Sequence, residues 1–460
     1  MFGKLLGPEI ENWIKTRDFA ALKECFSEWP PVDIADLIAD LPVEDQVVVF
    51  RLLPHSVAAD TFEYLGLEKQ KILLQAMGRE DVVNILNEMS PDDRTALLEE
   101  LPSTAVTGLL QLLSPEELKT AKSLLNYPEK SVGRLMTPDF IAVRDDWTVQ
   151  QVLDHIRGNG KDKETLNVIY VLDEKGSLID DVRIREFLLR PLHLKVREIR
   201  DENFIALRVT DLEQNAIQIF KKYDRTALPV VDSEGRLVGI VTIDDVLDVL
   251  EKETTEDIQK LGGSEALDEP YLAINLGKMI RKRAPWLVIL FLSEMLTTTA
   301  MAFFEDEIAK AVVLALFLPL IISSGGNSGS QATTLIIRAM ALGEVTLADW
   351  WHVMRREINS GFLLGLILGT IGFVRITIWH YAFHAYGPHW ILIAITIFFS
   401  LIGVVLWGSL SGSMLPFVLR RFGLDPAASS APFVATLVDV TGLIIYFTIA
   451  MFVMRGTLLP

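Results

Sequence analysis

The chain has 460 residues, half of them hydrophobic, a formal net charge of −18 and one cysteine, Cys25. That length calls for several domains, and a lone cysteine excludes an internal disulfide and suits a reducing compartment. Charge is unevenly held: residues 271–460 carry 9 acids against 12 Lys/Arg, residues 1–270 carry 52 against 31. So acidic a region should repel nucleic acid and anionic lipid headgroups and draw cations.

The start, Met1-Phe-Gly-Lys-Leu-Leu-Gly7, lacks the apolar core and cleavage pattern of a signal peptide, so residues 1–270 are expected in the cytosol. From about Phe19 to Tyr127 short helical patterns are punctuated by proline, as in Asp33-Ile-Ala-Asp-Leu-Ile-Ala-Asp-Leu-Pro42 and Asp81-Val-Val-Asn-Ile-Leu-Asn-Glu-Met-Ser-Pro91. Acids follow the prolines: Glu44-Asp45, Asp92-Asp93 and Glu116-Glu117. Proline suits a first helical turn and acids suit the positive end of the dipole, so capping alone accounts for most of them. The recurrence predicts an all-α superhelical domain over residues 1–131.

The pattern changes at Leu135-Met-Thr-Pro138. Two α/β units follow, over 132–200 and 201–252, each with alternating apolar strands and an amphipathic helix. Their most specific residues are Pro229-Val-Val-Asp232, Gly235-Arg-Leu-Val-Gly-Ile-Val-Thr242 and Ile243-Asp-Asp-Val-Leu247, and the pair resembles tandem cystathionine-β-synthase (CBS) domains. That resemblance implies an adenosine nucleotide held by Gly239, Thr242 and Asp245. The first unit has Ser177-Leu-Ile-Asp-Asp-Val-Arg183 at the equivalent place, without the Gly or the Thr, so a purely structural pair stays open.

Between Asp244 and Pro270 stand ten acids, Asp268 and Glu269 among them, and two lysines, Lys252 and Lys260. Through Leu261 the spacing is helical, with Val246, Leu247, Val249, Leu250, Ile258 and Leu261 as an apolar stripe that Gly262-Gly263-Ser264 ends; residues 253–283 are expected to connect the cytosolic part to the membrane, a second short helix leading to Arg281-Lys-Arg283. A solvated face is the ordinary reading of such a run, but a cytoplasmic linker normally carries Lys/Arg at a membrane entry.

Residues 284–460 contain five apolar stretches beyond the ~20 residues needed to cross a bilayer: about 284–304, 308–341, 358–383, 390–419 and 432–454. Arg281-Lys-Arg283, Arg338, Arg355-Arg356 and Arg420-Arg421 then share one side, which the positive-inside rule makes cytoplasmic, leaving the C-terminus outside. The second stretch holds Gly325-Gly-Asn-Ser-Gly-Ser-Gln331, whose glycines allow helices to approach while Asn327 and Gln331 ask for protein or a wet cavity. Gly361, Gly365 and Gly369 in the third read as packing positions. The last stretch carries Asp439 near its middle. An ionised Asp there costs roughly 2.5–3.5 kcal/mol on insertion scales, so it lines a path for cations or protons, or is neutral and hydrogen-bonded to a neighbouring helix.

Pro319 with Gly325-Gly-Asn-Ser-Gly-Ser-Gln331, Asp425-Pro426 and Thr436-Leu-Val-Asp-Val-Thr-Gly442 resemble the pore helices and last interhelical turn of the MgtE family of magnesium transporters. The resemblance spans nearly the whole chain and implies a multidomain protein: helical N-domain, CBS pair, connecting "plug" helix and five-span pore domain, without enzymatic activity. It implies that Mg²⁺ meets Asp439, with the Ala435 carbonyl, Asn327 and Asp425 along the membrane part. It also implies regulatory Mg²⁺ at Asp92, Asp93, Asp224, Asp244, Asp245, Asp248, Glu253, Glu256 and Asp257. A homodimer in the cell membrane, in contact with lipid, and closure of the pore by internal Mg²⁺ are further implications. Ala431 departs from the polar residue expected near the inner mouth. Two other readings stay open: a proton- or sodium-coupled transporter using Asp439 as a relay, and a membrane-anchored nucleotide sensor.

Overall fold

The computed structural model describes residues 2–267, 271–272 and 274–457; Asp268 and Glu269 lie outside them. The chain forms two compact units, Met1–Glu251 and Lys252–Pro460.

The first unit begins with ten short helices, from α1 (Phe2–Thr16) to α10 (Pro115–Leu125). Helices two apart in sequence pack together: α3 (Pro31–Asp40) on α5 (His55–Glu63) and α5 on α7 (Arg79–Glu88), with α4 (Val43–Leu52) on α6 (Leu67–Ala76) as a second row. This is the repeating superhelix that the proline spacing predicts. Pro31, Pro91 and Pro115 open α3, α8 (Pro91–Glu99) and α10, where a missing N–H costs nothing. Ile34, Ile38, Phe62, Leu73 and Leu86 are buried in the core.

After α11 (Val132–Leu135), each α/β repeat has a three-stranded sheet, parallel on one side of the middle strand and antiparallel on the other. The first contains β1 (Ala142–Arg144), α12 (Val149–Asn159), β2 (Val168–Leu172), β3 (Leu178–Arg183) and α13 (Ile184–Leu189). The second contains β4 (Leu207–Arg208), α14 (Glu213–Tyr223), β5 (Ala227–Val231), β6 (Leu237–Thr242) and α15 (Ile243–Leu261). The registers correspond: Asp180 pairs with Val171 as Gly239 pairs with Val230, so Asp180 stands where the second repeat has its glycine.

The acidic connecting helix is the later part of α15, whose apolar stripe runs unbroken to Leu261, as its spacing predicts, and stops at Gly262 and Gly263, the latter at φ 73°. The second short helix expected before Arg281 falls partly on residues 268–270 and 273, outside the described residues. Asn275 caps α16 (Leu276–Phe303) through its side-chain oxygen, and the helix runs through Arg281-Lys-Arg283 into the first span.

Five helices are long and apolar enough to cross a membrane among the described residues: Leu276–Phe303, Val312–Ala341, Leu347–Phe383, Trp390–Arg421 and Ala431–Met454. The second is not one smooth rod. After α17 (Glu305–Lys310) and α18 (Val312–Ala315), the main span α19 (Leu318–Ala341) starts afresh. Pro319 sets that start, because within a longer helix its ring would clash with the preceding turn. The others are α20 (Trp350–Phe383), α21 (Trp390–Arg421) and α22 (Ala431–Met454). Packing of α19 on α21 is close: a Cβ on Gly408 would collide with the Gly325 carbonyl. Ser328 and Ser409 hydroxyls meet at 2.6 Å, and Thr333 Oγ1 donates to the Gly412 carbonyl at 2.8 Å. Buried hydroxyls across small-residue seams are how apolar helices hold together without a hydrophobic gain.

Candidate metal centres and ion path

In the first unit, Asp92 and Asp93 occupy the first turn of α8 because Pro91 opens it, and Asp244 and Asp245 occupy that of α15. The fold brings the two turns together. Asp92 is only 8% exposed, and its Oδ1 is buried without a hydrogen-bond partner. Burial, then the carboxylates of Asp245, Asp93 and Glu164, push its carboxyl well above the usual range. Asp245 accepts from the Thr242 hydroxyl at 2.6 Å. Burial lifts it to about 7, against the Thr242 hydrogen bond and reinforced by Asp244 and Asp93. Asp248 is raised by burial and by Asp93. Glu63 reaches about 7 through burial and Asp93, although it accepts from the Ser90 backbone N–H at 2.6 Å.

Two members of this cluster, Glu63 and Glu164, escaped the sequence reading. Glu164 lies between α12 and β2, outside any periodic pattern, and only the fold turns it toward Asp93 and Asp244. Asp224, by contrast, is exposed at the left-handed C-cap of α14 (φ 50°) and is not among the charges acting on Asp92, Asp93 or Asp245. Carboxylates crowded with an orphaned oxygen fit a cation. Among the described residues no group of three or more His, Cys, Asp or Glu is arranged to hold an ion directly.

In the second unit Lys260 donates to Asp425 at 3.0 Å and to Glu256 at 3.5 Å. Asp425 also caps the following turn, accepting from the Ala427 N–H at 2.9 Å. Asp257 is raised by burial, then by Asp425 and Glu253, so these acids gather around one ammonium group. Nearby, Gly263 lies against Trp286, whose indole N–H donates to Ser430 Oγ at 3.1 Å.

In the membrane helices, Gly325, Gly326 and Gly329 of α19 face Val438, Ala435 and Val434 of α22. At Gly326 a Cβ would have 3.5 Å to the Ala435 Cβ, so neither residue fills the seam one turn before Asp439. The Ala435 carbonyl lies inside an unbroken helix, with one lone pair committed to that helix and one free. Asn327 is exposed and reaches Ser323 Oγ at 3.4 Å; it makes no hydrogen bond to Asp439. Ser330 donates to the Ala431 carbonyl at 3.2 Å, so at the departure noted above the polar function comes from backbone. Sequence reading also passed over Glu294, in the middle of the first span, whose carboxyl meets that of Asp439 side chain to side chain. A carboxylate centred in an apolar stretch was the available signal.

For a nucleotide, the two repeats offer different surroundings. A Cβ on Gly239 would lie 2.7 Å from Met136 Sδ, so Met136 covers the glycine, while Thr242 and Asp245 hold each other. A cleft of about 390 Å³ beside the first repeat's last strand is lined by Arg183, Arg185, Arg190, Arg200 and Arg225 together with Asp180, Asp181, Glu186 and Asp201. Its floor is polar: Asp180 accepts from the backbone of Asp201 at 2.8 Å, and Arg225 pairs with Asp181 at 3.3 Å. Guanidinium groups in that number fit phosphates better than the Gly239 surroundings do.

Five apolar helices, with Asp439 and Glu294 among them, joined in one chain to an acidic unit of helices and two small sheets, define a multi-pass membrane protein suited to cations. Family comparison agrees with each part: residues 318–449 match the MgtE divalent cation transporter model, 29–130 the MgtE intracellular N domain, and 132–191 and 196–252 CBS domains. The magnesium transporter MgtE of Thermus thermophilus is 38% identical over 457 residues, covering 97% of this chain and 98% of the relative. The Bacillus subtilis magnesium transporter MgtE is 28% identical over 440 residues, covering 95% and 94%. Among solved structures, the cytosolic domain of the Mg²⁺ channel MgtE in complex with ATP is 36% identical with TM-score 0.51, covering 53% of this chain and all of that one. The soluble part of a magnesium transporter is 26% identical with TM-score 0.52, covering 55% and 99%. The chain belongs to the MgtE family of divalent cation transporters.

Proposed function

We propose that this chain carries Mg²⁺ across the cell membrane as a homodimer and that internal Mg²⁺ closes it; it has no catalytic step. The observation that carries this reading is Asp439, held mid-span on α22 beside a glycine-lined seam with α19. Magnesium surrenders its water slowly and is met by one or two carboxylates, which fits so sparse a pore lining. The arginine clusters at the helix ends favour a cytoplasmic N-terminus and an outer C-terminus.

Regulation follows from charge. With Asp92, Asp93, Asp244, Asp245 and Asp248 drawn together, the compact first unit is disfavoured unless a divalent cation offsets the repulsion. Two carboxylates ~4 Å apart repel by about 4 kcal/mol at an effective dielectric of 20. Switching a gate from 1:99 to 99:1 takes about 5.5 kcal/mol, which a few weak sites can supply together. Glu253, Glu256, Asp257 and Asp425 extend the same chemistry along the connecting helix, where Lys260 already supplies one positive charge. Since a relative's cytosolic domain binds ATP, a nucleotide is assigned to the CBS pair, its phosphates held by the arginine-lined cleft. There it would supply anionic charge that orders those arginines.

The test is flux of Mg²⁺ into liposomes holding the full chain, with internal Mg²⁺ varied. Flux that falls as internal Mg²⁺ rises, and vanishes with Asp439→Ala, supports the reading. A metal-independent, pH-driven flux would replace it with a proton relay.

A further inference from the structure

We propose that Glu294 is a second carboxylate ligand of the transported divalent cation, and that the pair Glu294–Asp439 sets selectivity against monovalent ions. The inference rests on the reading of Asp439 as a pore ligand and adds a residue from a different helix to that site.

Two contacts fix the depth of α16 against α22. Near one end, Trp286 bonds Ser430 and its ring lies 6.3 Å from that of Phe433. Near the other, Phe304 stacks on Phe447 with centroids 5.0 Å apart and planes 18° from parallel. At about 1.5 Å rise per residue, Glu294 stands ~12 Å along from Trp286, and Asp439 stands ~13.5 Å along from Ser430. Measured back from the aromatic stack, the two sit ~15 Å and ~12 Å away. The helices thus present both carboxyls at the same level, which is why the groups meet.

That meeting needs a physical reason. An acid in the middle of a span carries an insertion cost, and two in contact add mutual repulsion that little water screens. Packing does not require it, since Glu294 is exposed on its helix. A divalent cation removes the difficulty: its two charges match two carboxylates, with water completing the six oxygen positions Mg²⁺ demands. A monovalent ion would leave one negative charge uncompensated and be held more weakly. Glu294 therefore raises affinity for divalent ions and discriminates against Na⁺ and K⁺.

The experiment uses the full chain in liposomes, comparing wild type, Glu294→Gln, Glu294→Asp and Asp439→Asn. For each, Mg²⁺ flux is followed against external Mg²⁺, and K⁺ leak is measured without divalents. Glu294→Gln, which keeps the shape, is expected to raise half-saturating Mg²⁺ at least ten-fold with smaller loss of maximal flux, and to raise K⁺ leak. Glu294→Asp should recover most of the affinity. Unchanged half-saturation and leak in Glu294→Gln, with Asp439→Asn inactive, would overturn the role of Glu294 and leave the pore reading intact. Wild-type flux through Asp439→Asn would overturn both. A monodisperse size-exclusion profile for each variant in detergent separates these results from misfolding.

Discussion

Around Asp92 the fold collects six other carboxylates, Glu63, Asp93, Glu164, Asp244, Asp245 and Asp248, in the unit that holds none of the five apolar spans. Around Asp439 it collects one other, Glu294, in a layer that lipid keeps dry. The contrast reflects what each environment tolerates. Outside the bilayer a partly buried charge costs less, so many carboxylates can be gathered and weak attractions summed to bias a conformation. Within the bilayer each added charge is costly, so a site is built from the fewest groups that match the ion. Sensing therefore uses number, and permeation uses placement.

The largest expected effect lies on the membrane side. Asp439→Ala should lower Mg²⁺ flux at least 100-fold while leaving the detergent-solubilised protein folded and dimeric by size exclusion. Robust flux in that variant would move the pore elsewhere. On the cytosolic side, neutralising Asp245, Asp248, Glu256 and Asp257 together to Asn or Gln should flatten the Mg²⁺ dependence of protease protection, biasing the protein toward the closed form. Wild type should gain protection over a millimolar range. An unchanged titration would reduce these acids to a solvated face.

A third expectation concerns pH. Asp245 and Glu63 are raised to about 7 by burial and neighbouring carboxylates, and Asp92 is raised as well. An acid whose folded value lies above its unfolded value stabilises the fold while protonated, and loses that contribution as pH rises through the folded value. Between pH 6 and 8, without divalent ions, the first thermal transition of the full chain should therefore fall by several degrees. Millimolar Mg²⁺ should flatten the slope. Ser90, Thr242 and the carboxylates of Asp60, Asp93, Asp244 and Glu164 face these groups, so no histidine is needed to explain the pH range. A slope unaffected by Mg²⁺ would separate the titrating acids from the cation.

The smallest effects separate lining from packing. Asn327→Leu should impair flux several-fold with little change in thermal stability. Gly365→Ala should act the other way, because its Cβ would fall 2.7 Å from Ile402 Cα and force α20 from α21. Overpacking of this kind costs about 1–3 kcal/mol. Flux at constant protein amount, read beside the melting temperature, distinguishes the two; a reversal would make α19 the packing element.

Much of this architecture is local and so could be read from sequence. Proline followed by acids sets the starts of α3, α4, α8 and α10, short apolar runs set the strands, and long apolar runs set the spans. Those signals arise within a turn or two of chain. The same holds for α15, whose apolar stripe runs to Leu261 and stops at Gly262-Gly263.

Residue spacing by itself determined the helical repeat, the two α/β units, the five spans and the presence of Asp439 within the last. Only the tertiary structure decided which charges meet: Glu164 with Asp93, Lys260 with Asp425, Glu294 with Asp439. It also decided which residues do not join, leaving Asp224 at a helix cap and Met136 over Gly239. The reason is range. Backbone and capping preferences act between neighbours in sequence, whereas the electrostatics that bind a cation act between groups that only packing brings within a few ångströms.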